Sequence, residues 1–558
     1  MHSVHRENGS NCEYKKAHRL NCVLPRFWKD ENGAMTYLGV SGALVMMVFG
    51  GIGIDMIHSD LKRTKLQNTL DRAVLAAAAL ENDLNPDAVV ASYFDAANMG
   101  EALQGVAVND VTFGETVLLR EVQANGRQAM PSNFMSLIGV DTLQATGNAA
   151  AANSVNNVEI SMVLDISGSM SGTKLTQLQN ASKNFVDTML EDDDVTVTIS
   201  LVPYNATVNM GETMAPYFNL EGLHDISFCG TFPTEEFGTT SLAASMVIEQ
   251  LGHFDPRSTS EVPGEANYPW CHRGDTAAIL PLSSDAEALK ARIDTFVAWG
   301  NTAIDLGMKW GTALLDPSVQ SNVNSMIVDG HIGTNAAGRP AAMNTRDTMK
   351  FVVLMTDGQN TTQYDLPRDM KTGQTMTGIW HSNNGTPDFL WDDKFSVRIV
   401  DNPGTDSDVY YWTRFMFNPN ERYQTTIDRI DHPVHPAQEL TFNELYDLFG
   451  TQGAANLLYY QPAIDGYDVA ALQDQVRYPY NTTVNYAQAN SNLSSICGQA
   501  RNSGIIVYAI GVEAPTAGLQ AMQDCASSPA HYFDVTGNQL DQTFDSIART
   551  LTKLRLTQ

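Results

Sequence analysis

Positive charge is scarce in this 558-residue sequence. It has 34 lysines and arginines against 63 aspartates and glutamates, which gives a formal net charge of −29 at pH 7. A nucleic-acid-binding protein presents a basic face to the phosphate backbone, so this balance argues against nucleic acid as a partner. A strongly acidic surface instead suits a domain that is soluble outside the cytoplasm.

Two common catalytic motifs are also absent, namely the H-E-x-x-H zinc motif and the glycine-rich phosphate-binding loop. The H-x-x-H pattern of His432 and His435 has prolines beside it and no acidic partner at helical spacing, so these two histidines form a poor metal site. A hydrophobic content of 43% is ordinary for a folded protein. The length allows roughly two to four domains.

Uncharged hydrophobic sequence is concentrated near the amino end. Residues 34–57 contain one charged side chain, Asp55, and would form about 36 Å of helix at about 1.5 Å per residue, enough to cross a bilayer. No A-x-A cleavage site follows this segment, so we predict an uncleaved anchor. The basic residues within 1–30 place the amino end in the cytoplasm, although Lys62, Arg63 and Lys65 lie just beyond the segment.

The anchor is expected to continue as a packed helix. We predict Asp55 to be a carboxylate at the membrane interface, with a buried functional charge as the alternative. A packing stripe beyond it has helical spacing and comprises Leu66, Leu70, Ala73, Ala77 and Leu80. Residues 86–152 then predict a small α+β region, with strands at 106–113, 116–124 and 142–147 and a short helix at 131–138. Residues 149–157 form a linker.

The most informative stretch is 158–171, V-E-I-S-M-V-L-D-I-S-G-S-M-S. An apolar run at 160–164 predicts a strand buried on both faces, followed directly by Asp165, Ser167 and Ser169. Ligands of open α/β sheets bind at the carboxyl ends of strands, and oxygen-only ligands suit Mg²⁺, Ca²⁺ or Mn²⁺. An Asp/Ser turn that caps the following helix is the alternative interpretation.

Two further stretches repeat this arrangement. Residues 350–362, K-F-V-V-L-M-T-D-G-Q-N-T-T, run from an apolar strand into Asp357, and residues 299–306, W-G-N-T-A-I-D-L, place Thr302 after a Gly-Asn turn. In this order, D-x-S-x-S, G-N-T and T-D-G resemble the metal-ion-dependent adhesion site of von Willebrand factor A (VWA) domains.

The VWA resemblance implies a specific ligand set. Ser167 and Ser169 would ligate a divalent cation, most simply Mg²⁺, with Mn²⁺ or Ca²⁺ as alternatives. Thr302 and Asp357 would complete the shell directly or through water, and Asp165 would bind the ion or hold its ligands. One position would stay open for a Glu or Asp carboxylate of a protein partner.

The rest of the chain alternates strands and helices, which predicts an α/β fold. We expect a VWA-type doubly wound, mostly parallel sheet over residues 158–558, preceded by a transmembrane helix within 31–85 and the α+β region. Predicted strands are 160–164, 195–202, 351–355, 505–510 and 532–535. Predicted helices are 174–190, 285–299, 304–315, 487–503 and 538–551.

Two long insertions interrupt this plan, at about 205–284 and 359–486. Both should emerge beside the candidate metal site. The second is rich in aromatic residues, which argues against disorder: Trp380, Trp391, Tyr410, Tyr411, Trp412, Tyr459 and Tyr460. A partner-binding surface and a separate small core are both compatible with this composition.

The six cysteines divide at the anchor. Cys12 and Cys22 precede it and should be reduced in a cytoplasm, whereas the other four follow it. On an oxidising side these four allow two disulfides in three pairings. Chain order and the insertion boundaries favour Cys229–Cys271 and Cys497–Cys525.

Both ends of the chain resemble one protein family. The basic N-terminus, the apolar helix and the segment L-Q-N-T-L-D-R-A-V-L-A-A-A-A are similar to TadE/TadG-like proteins of tight-adherence (Flp) pilus systems. The stretch from Cys497 to 535 is similar to TadG-like VWA proteins, in which two such cysteines flank a strand. Prepilin processing is not expected, because Leu38 stands where the glutamate five residues after Gly33 would be.

The sequence therefore predicts a non-enzymatic, single-pass protein of the bacterial inner membrane with a periplasmic VWA domain. It would act in pilus assembly or adhesion by binding a protein partner through a divalent ion. A metal-dependent hydrolase is one alternative, for which no general base stands at motif spacing. A purely structural envelope tether is the other.

Overall fold

A computed structural model describes residues 32–79, 84–113, 116–154, 157–191, 196–343, 345, 348–383, 393–400, 409–414, 424–426 and 435–553. Within them the chain forms two compact units, one in Met1–Val111 and Arg120–Asn153, the other in Thr112–Leu119 and Ser154–Gln558. Several predictions lie outside the described residues: the basic segment 1–30 with Cys12 and Cys22, Leu80, Trp391 and His432.

The first unit combines two helices with a small sheet. Its elements are α1 (Asn32–Ala78), α2 (Pro86–Ala96), β1 (Leu103–Phe113), β2 (Thr116–Pro131) and β3 (Thr142–Ser154). The strands pair in the order β1-β2-β3. The helix predicted at 131–138 is wrong in extent: β2 continues to Pro131, and Met135–Ile138 form only a 3₁₀ turn.

Helix α1 is long and apolar enough, over Met35–Ala78, to be a candidate membrane span. Its predicted packing stripe is buried at Leu66, Leu70, Ala73 and Ala77. These side chains form one core with α2 and the sheet, since the burial of apolar area is what holds an amphipathic helix in place. Asp55 is buried against the loop that follows β2, where it accepts a hydrogen bond from the Phe134 amide; its location at the membrane interface stays a prediction.

The second unit contains the remaining strands and helices. The strands are β4 (Asn157–Asp165), β5 (Thr196–Tyr204), β6 (Gly230–Thr231), β7 (Glu249–Gln250), β8 (Leu280–Ser283), β9 (Thr348–Thr356), β10 (Gln363–Asp365), β11 (Ile379–Ser382), β12 (Lys394–Val400), β13 (Val409–Arg414), β14 (Gln424–Thr426), β15 (Gln438–Glu439), β16 (Asn481–Val484), β17 (Ile506–Val512) and β18 (Tyr532–Val535). The helices are α3 (Thr173–Met189), α4 (Gly211–Met214), α5 (Ala286–Asp294), α6 (Ile304–Ala313), α7 (Gln320–Val328), α8 (Arg368–Lys371), α9 (Phe442–Leu448), α10 (Thr451–Ile464), α11 (Ala470–Arg477), α12 (Tyr486–Asn502), α13 (Thr516–Cys525) and α14 (Leu540–Lys553).

The main sheet of this unit is mixed, with six strands in the order β18-β17-β9-β4-β5-β8. Its first five strands run parallel, and β8 pairs antiparallel to β5 at the edge. Strand β4 lies near the centre, where every residue from Val158 to Asp165 is buried. Both faces of β4 are therefore covered, which explains its continuous apolar sequence.

Helices α6 and α12 cover one face of the sheet. Val163, Val352, Leu354 and Val507 share a core with residues of both helices. Helix α5 is shorter than the predicted 285–299, because Thr295 Oγ1 accepts a hydrogen bond from the Ala277 amide and donates to the Arg292 carbonyl, while the chain beyond turns away.

The first insertion ends inside the sheet. Strand β8 comprises residues that we had assigned to the insertion at 205–284, and its register with β5 pairs Ile199 with Ser283. Pro281 lies in this strand, as edge strands permit. Strands β6 and β7 form a separate two-stranded pair within the same insertion.

The second insertion has its own core. A five-stranded sheet in the order β14-β13-β12-β11-β15 packs with α9, α10 and α11. Of the aromatic residues singled out above, Trp380, Tyr410, Tyr411 and Tyr459 are buried, which favours the interpretation as a small core. Phe254 and Trp270 of the first insertion belong to the same cluster.

Both disulfides are present in the pairing that chain order favours. Cys229 is joined to Cys271 across 42 residues and Cys497 to Cys525 across 28 residues. The second links α12 to the end of α13.

Candidate metal site

Asp165 is the last residue of β4, and its carboxylate is held by two neighbours. Oδ1 accepts a hydrogen bond from the Ser167 amide at 2.7 Å, and Oδ2 accepts one from Thr356 Oγ1 at 2.6 Å. Thr356 ends the adjacent parallel strand β9, so the sheet itself brings the two side chains together. Asp165 therefore fixes the turn that carries both serines.

The two serines meet Asp357 at the carboxyl ends of β4 and β9. Ser167 Oγ lies 3.2 Å from Ser169 Oγ, and Ser169 Oγ donates to Asp357 Oδ1 at 2.5 Å. Ser167 and Asp357 are buried, whereas Ser169 is exposed. The cluster is thus open to solvent on the side of Ser169.

Thr302 lies at the same end of the sheet, directly after a turn formed by Gly300 and Asn301. Gly300 has a φ of +85°, a left-handed conformation that favours glycine, and its carbonyl accepts the Gly168 amide at 3.0 Å. The Thr302 amide donates to Thr361 Oγ1 at 3.1 Å. A Cβ added to Gly358 would lie 3.2 Å from Thr302 Oγ1, so this hydroxyl borders the residue that follows Asp357.

A lysine completes the cluster. Lys174 Nζ donates to Asp357 Oδ2 at 2.8 Å and lies 3.7 Å from Glu513 Oε2. Partial burial acts to lower the pKa of Lys174, but its bond and ion pair with Asp357 outweigh that effect, and the pKa is raised overall. The ammonium thus supplies positive charge to Asp357 from within the chain.

The electrostatics of Asp165 oppose its ionisation. Burial, followed by the nearby negative charge of Asp357, raises its pKa to about 6. Hydrogen bonds from Thr356 and Ser167 act in the opposite direction. When two neighbouring carboxylates are both ionised and their repulsion is only partly neutralised, the binding of a cation beside them is favourable.

The donors fit a hard divalent cation. The candidate metal ligands are all hydroxyl or carboxylate oxygens, the ligand type that Mg²⁺ and Ca²⁺ prefer. Two oxygens bound side by side to Mg²⁺ at about 2.1 Å lie about 3.0 Å apart, close to the 3.2 Å between the serine hydroxyls. In the described chain no group of three or more His, Cys, Asp or Glu side chains gathers, so hydroxyls would have to contribute.

Sequence reasoning missed Lys174, Thr356 and Thr361. Thr356 precedes Asp357 directly, and its position at the end of a strand beside β4 was a usable signal. The contact of Lys174 with Asp357 joins residues 183 apart in the chain, and nothing local to Lys174 marks it. Asp165, Ser167, Ser169, Thr302 and Asp357 all lie at one edge of the sheet.

Comparison with known families gives one match. Residues 33–80 match the family model described as putative Flp pilus-assembly TadE/G-like. The matched residues cover the apolar helix α1. No curated protein matches the chain.

Comparison with solved structures finds bacterial pilus proteins at low similarity. The vWF domain of the type V pili tip protein Mfa5 from Porphyromonas gingivalis is 16% identical, with 72% of this chain and 96% of that chain covered and a TM-score of 0.29. The pilus adhesin SpaC from Lactobacillus rhamnosus GG is 13% identical, with 80% and 33% covered and a TM-score of 0.28. The family match over residues 33–80 shows that the N-terminal helix of this protein is similar to that of TadE/G-like Flp pilus-assembly proteins.

Proposed function

We propose that this protein is a membrane-anchored component of a Flp/Tad-type pilus system that binds a protein partner through a divalent cation. The observation that carries the proposal is the convergence of Ser167, Ser169 and Asp357 from two separate loops, with Ser169 Oγ within hydrogen-bonding distance of both Ser167 Oγ and Asp357 Oδ1. The family match over residues 33–80 supports the pilus context. The apolar part of α1 would be the anchor.

In this proposal, a VWA-type sheet presents the metal site at its carboxyl edge. Ser167, Ser169, Thr302 and Asp357 would hold the ion, most simply Mg²⁺, and Asp165 would fix the serine turn. The bound ion would supply a positive centre with an open position for a carboxylate. Exposure of Ser169 leaves this side of the site accessible to a Glu or Asp side chain of the partner.

Metal binding can be tested on the detergent-solubilised full-length protein. Titration with Mn²⁺, followed by electron paramagnetic resonance, should show one bound ion that Mg²⁺ displaces. Ser167→Ala removes a ligand but no core volume, so it should abolish binding while the protein stays folded. Ser171→Ala is the matched control, because Ser171 is exposed and belongs to the same turn outside the cluster. Equal Mn²⁺ affinity of the two variants would refute the metal site.

The role in the pilus system needs a cellular readout. In the host strain, the gene carrying Ser167→Ala should fail to restore surface pili or adhesion, whereas the gene carrying Ser171→Ala should restore both. Chelation of external divalent ions should weaken adhesion of the wild type in the same way. Normal pili and adhesion with Ser167→Ala would exclude the metal-dependent function and leave a structural tether.

A further inference from the structure

The connection between β2 and β3, residues 132–141, lies directly against α1. Asp55 accepts hydrogen bonds from the amides of Asn133, Phe134 and Met135 at 3.3, 2.7 and 2.8 Å. One helical turn earlier, Gly51 contacts the ring of Phe134 so closely that a Cβ there would overlap it. This loop is therefore fixed on α1 at the level of residues 51–55.

The tip of the loop presents apolar side chains to the outside. Leu137 is 69% exposed and Ile138 is 56% exposed. No charged residue occurs from 128 to 140. Adjacent large apolar residues at an exposed, uncharged loop tip are unfavourable in water. They indicate a surface that contacts a membrane or another protein.

Three backbone amides of the tip are paired within the loop. The Leu137 amide donates to the Phe134 carbonyl at 3.1 Å, and the Val140 amide donates to the Met135 carbonyl at 3.0 Å. The Gly139 amide donates to the Ser136 carbonyl. Such internal hydrogen bonds lower the cost of placing a loop in a medium of low polarity, where unpaired backbone groups have no water to bind.

The level at which the loop is held coincides with the end of the charge-free part of α1. Residues 34–54 carry no charge and would span about 31 Å at about 1.5 Å per residue, close to the hydrocarbon thickness of a bilayer. Asp55 is the first charged residue beyond them, followed by Asp60, Lys62 and Arg63. The loop is thus attached where α1 would leave the membrane.

We propose that the 132–141 loop inserts into the interfacial layer of the bilayer beside α1, with Leu137 and Ile138 as its apolar contacts. The inference rests on the membrane anchor proposed above, and the occupant is lipid, because the apolar surface of α1 continues to the same level. Asp55 then has a defined role. It holds the loop against the helix, and its three amide donors satisfy a carboxylate at the membrane boundary.

The test uses full-length protein with Cys12→Ser and Cys22→Ser, so that a single added cysteine can carry an environment-sensitive nitrobenzoxadiazole label. Labels at Leu137→Cys, Met46→Cys and Leu75→Cys are compared in vesicles of phosphatidylcholine and phosphatidylglycerol that contain nitroxide lipid. Met46 lies within the span. Leu75 is the matched control, since it is a leucine on α1 and 66% exposed, but it lies about 30 Å along the helix beyond residue 54, where the charge-free part ends.

Quenching by nitroxide lipid at Leu137 should approach that at Met46 and exceed that at Leu75 by roughly threefold or more, as for an interfacial contact. Equal quenching at Leu137 and Leu75, with Met46 quenched, would overturn the proposal. Shielding of Leu137 from aqueous iodide without quenching by lipid would also overturn it, by assigning the loop to a protein partner or a second copy. An unquenched label at Met46 would instead refute the anchor.

Discussion

Lys174 Nζ lies 2.8 Å from Asp357 Oδ2, so the chain itself places a cation beside the candidate metal site. The lysine side chain is only 26% exposed and the carboxylate is buried, which makes this ion pair stronger than one in open solvent. A divalent ion bound to Asp357 would compete with the same ammonium group. We therefore expect Lys174 to stabilise the metal-free protein and to weaken its affinity for a divalent ion.

Replacing Lys174 with Met should separate these two effects. The metal-free protein should melt a few degrees lower, and Mn²⁺ should bind roughly fivefold more tightly, equivalent to about 1 kcal/mol for a partly buried pair. Lys183→Met is the control, because Lys183 lies on the same helix with 27% exposure and pairs with Asp294 away from the site. Weaker Mn²⁺ binding by Lys174→Met, measured by calorimetric titration, would contradict the competition.

Much of the main sheet could be predicted because buried parallel strands have a distinctive sequence. The apolar runs leading to Asp165 and Asp357 mark β4 and β9 as central strands. Strand β8 was missed because Leu280–Ser283 is short and contains a proline, so only its pairing with β5 distinguishes it from a loop. The end of α5 likewise depends on a contact between Thr295 and Ala277 that no local pattern reveals.

The candidate metal site, like the sheet, could be predicted only in part. The spacing D-x-S-x-S and the T-D-G pattern predicted which side chains would share a sheet edge, since strand ends are encoded locally. The partner of each side chain was not predictable, because Lys174–Asp357 and Asp165–Thr356 join residues that only the folded sheet brings together. The partners of Asp55 were not predictable for the same reason: they are backbone amides about 80 residues further along the chain.

Asp305 is a buried carboxylate whose ionisation should destabilise the fold. It accepts hydrogen bonds from Gln363 Nε2 at 2.9 and 3.1 Å and from Asn492 Nδ2 at 3.4 Å, and among the described residues no cationic side chain forms an ion pair with it. Burial raises its pKa from 3.8 to about 6. Well below pH 3.8 the carboxyl group is protonated in both the folded and the unfolded state. As the pH rises from 3.8 to about 6, the unfolded state ionises first and stability is lost; above about pH 6 the loss is complete.

Asp305→Asn should therefore stabilise the protein at neutral pH by up to about 3 kcal/mol, at about 1.4 kcal/mol per pKa unit, with the gain vanishing only well below pH 3.8. Differential scanning calorimetry of full-length wild type and variant across this range measures it. Asp365→Asn is the contrast: its pKa is also raised to about 6, but it pairs with buried Lys371 at 2.6 Å. Removing that charge should destabilise the protein. A pH-independent effect of Asp305→Asn would contradict this assignment.

The disulfide between Cys497 and Cys525 should stabilise the second unit without being needed for its fold. It closes 28 residues, which is worth about 3–4 kcal/mol in the chain-entropy view. Arg501 on α12 also holds the end of α13, because its Nη1 donates hydrogen bonds to the carbonyls of Asp524 and Cys525 at 2.8 and 2.9 Å. Cys497→Ser with Cys525→Ser should lower the melting temperature by several degrees and retain Mn²⁺ binding. An unchanged melting temperature, or free thiols at both positions in periplasmic protein, would rule out the disulfide.

The second unit should lie in the periplasm, because the basic segment before α1 favours a cytoplasmic amino end. Basic residues also follow the span, but Lys65 is engaged in the first unit, where Nζ donates to the Ala97 carbonyl at 2.9 Å. Alkaline phosphatase fused to the carboxyl terminus should be active in cells, whereas green fluorescent protein at the same position should not fluoresce.

The state of the cysteines gives a second test of this topology. Maleimide labelling of denatured, unreduced protein should detect only Cys12 and Cys22. As a control, glutamine at Arg6, Lys15, Lys16, Arg19, Arg26 and Lys29 should reduce phosphatase activity. A fluorescent fusion with six reactive thiols would place the second unit in the cytoplasm, where the disulfides could not persist.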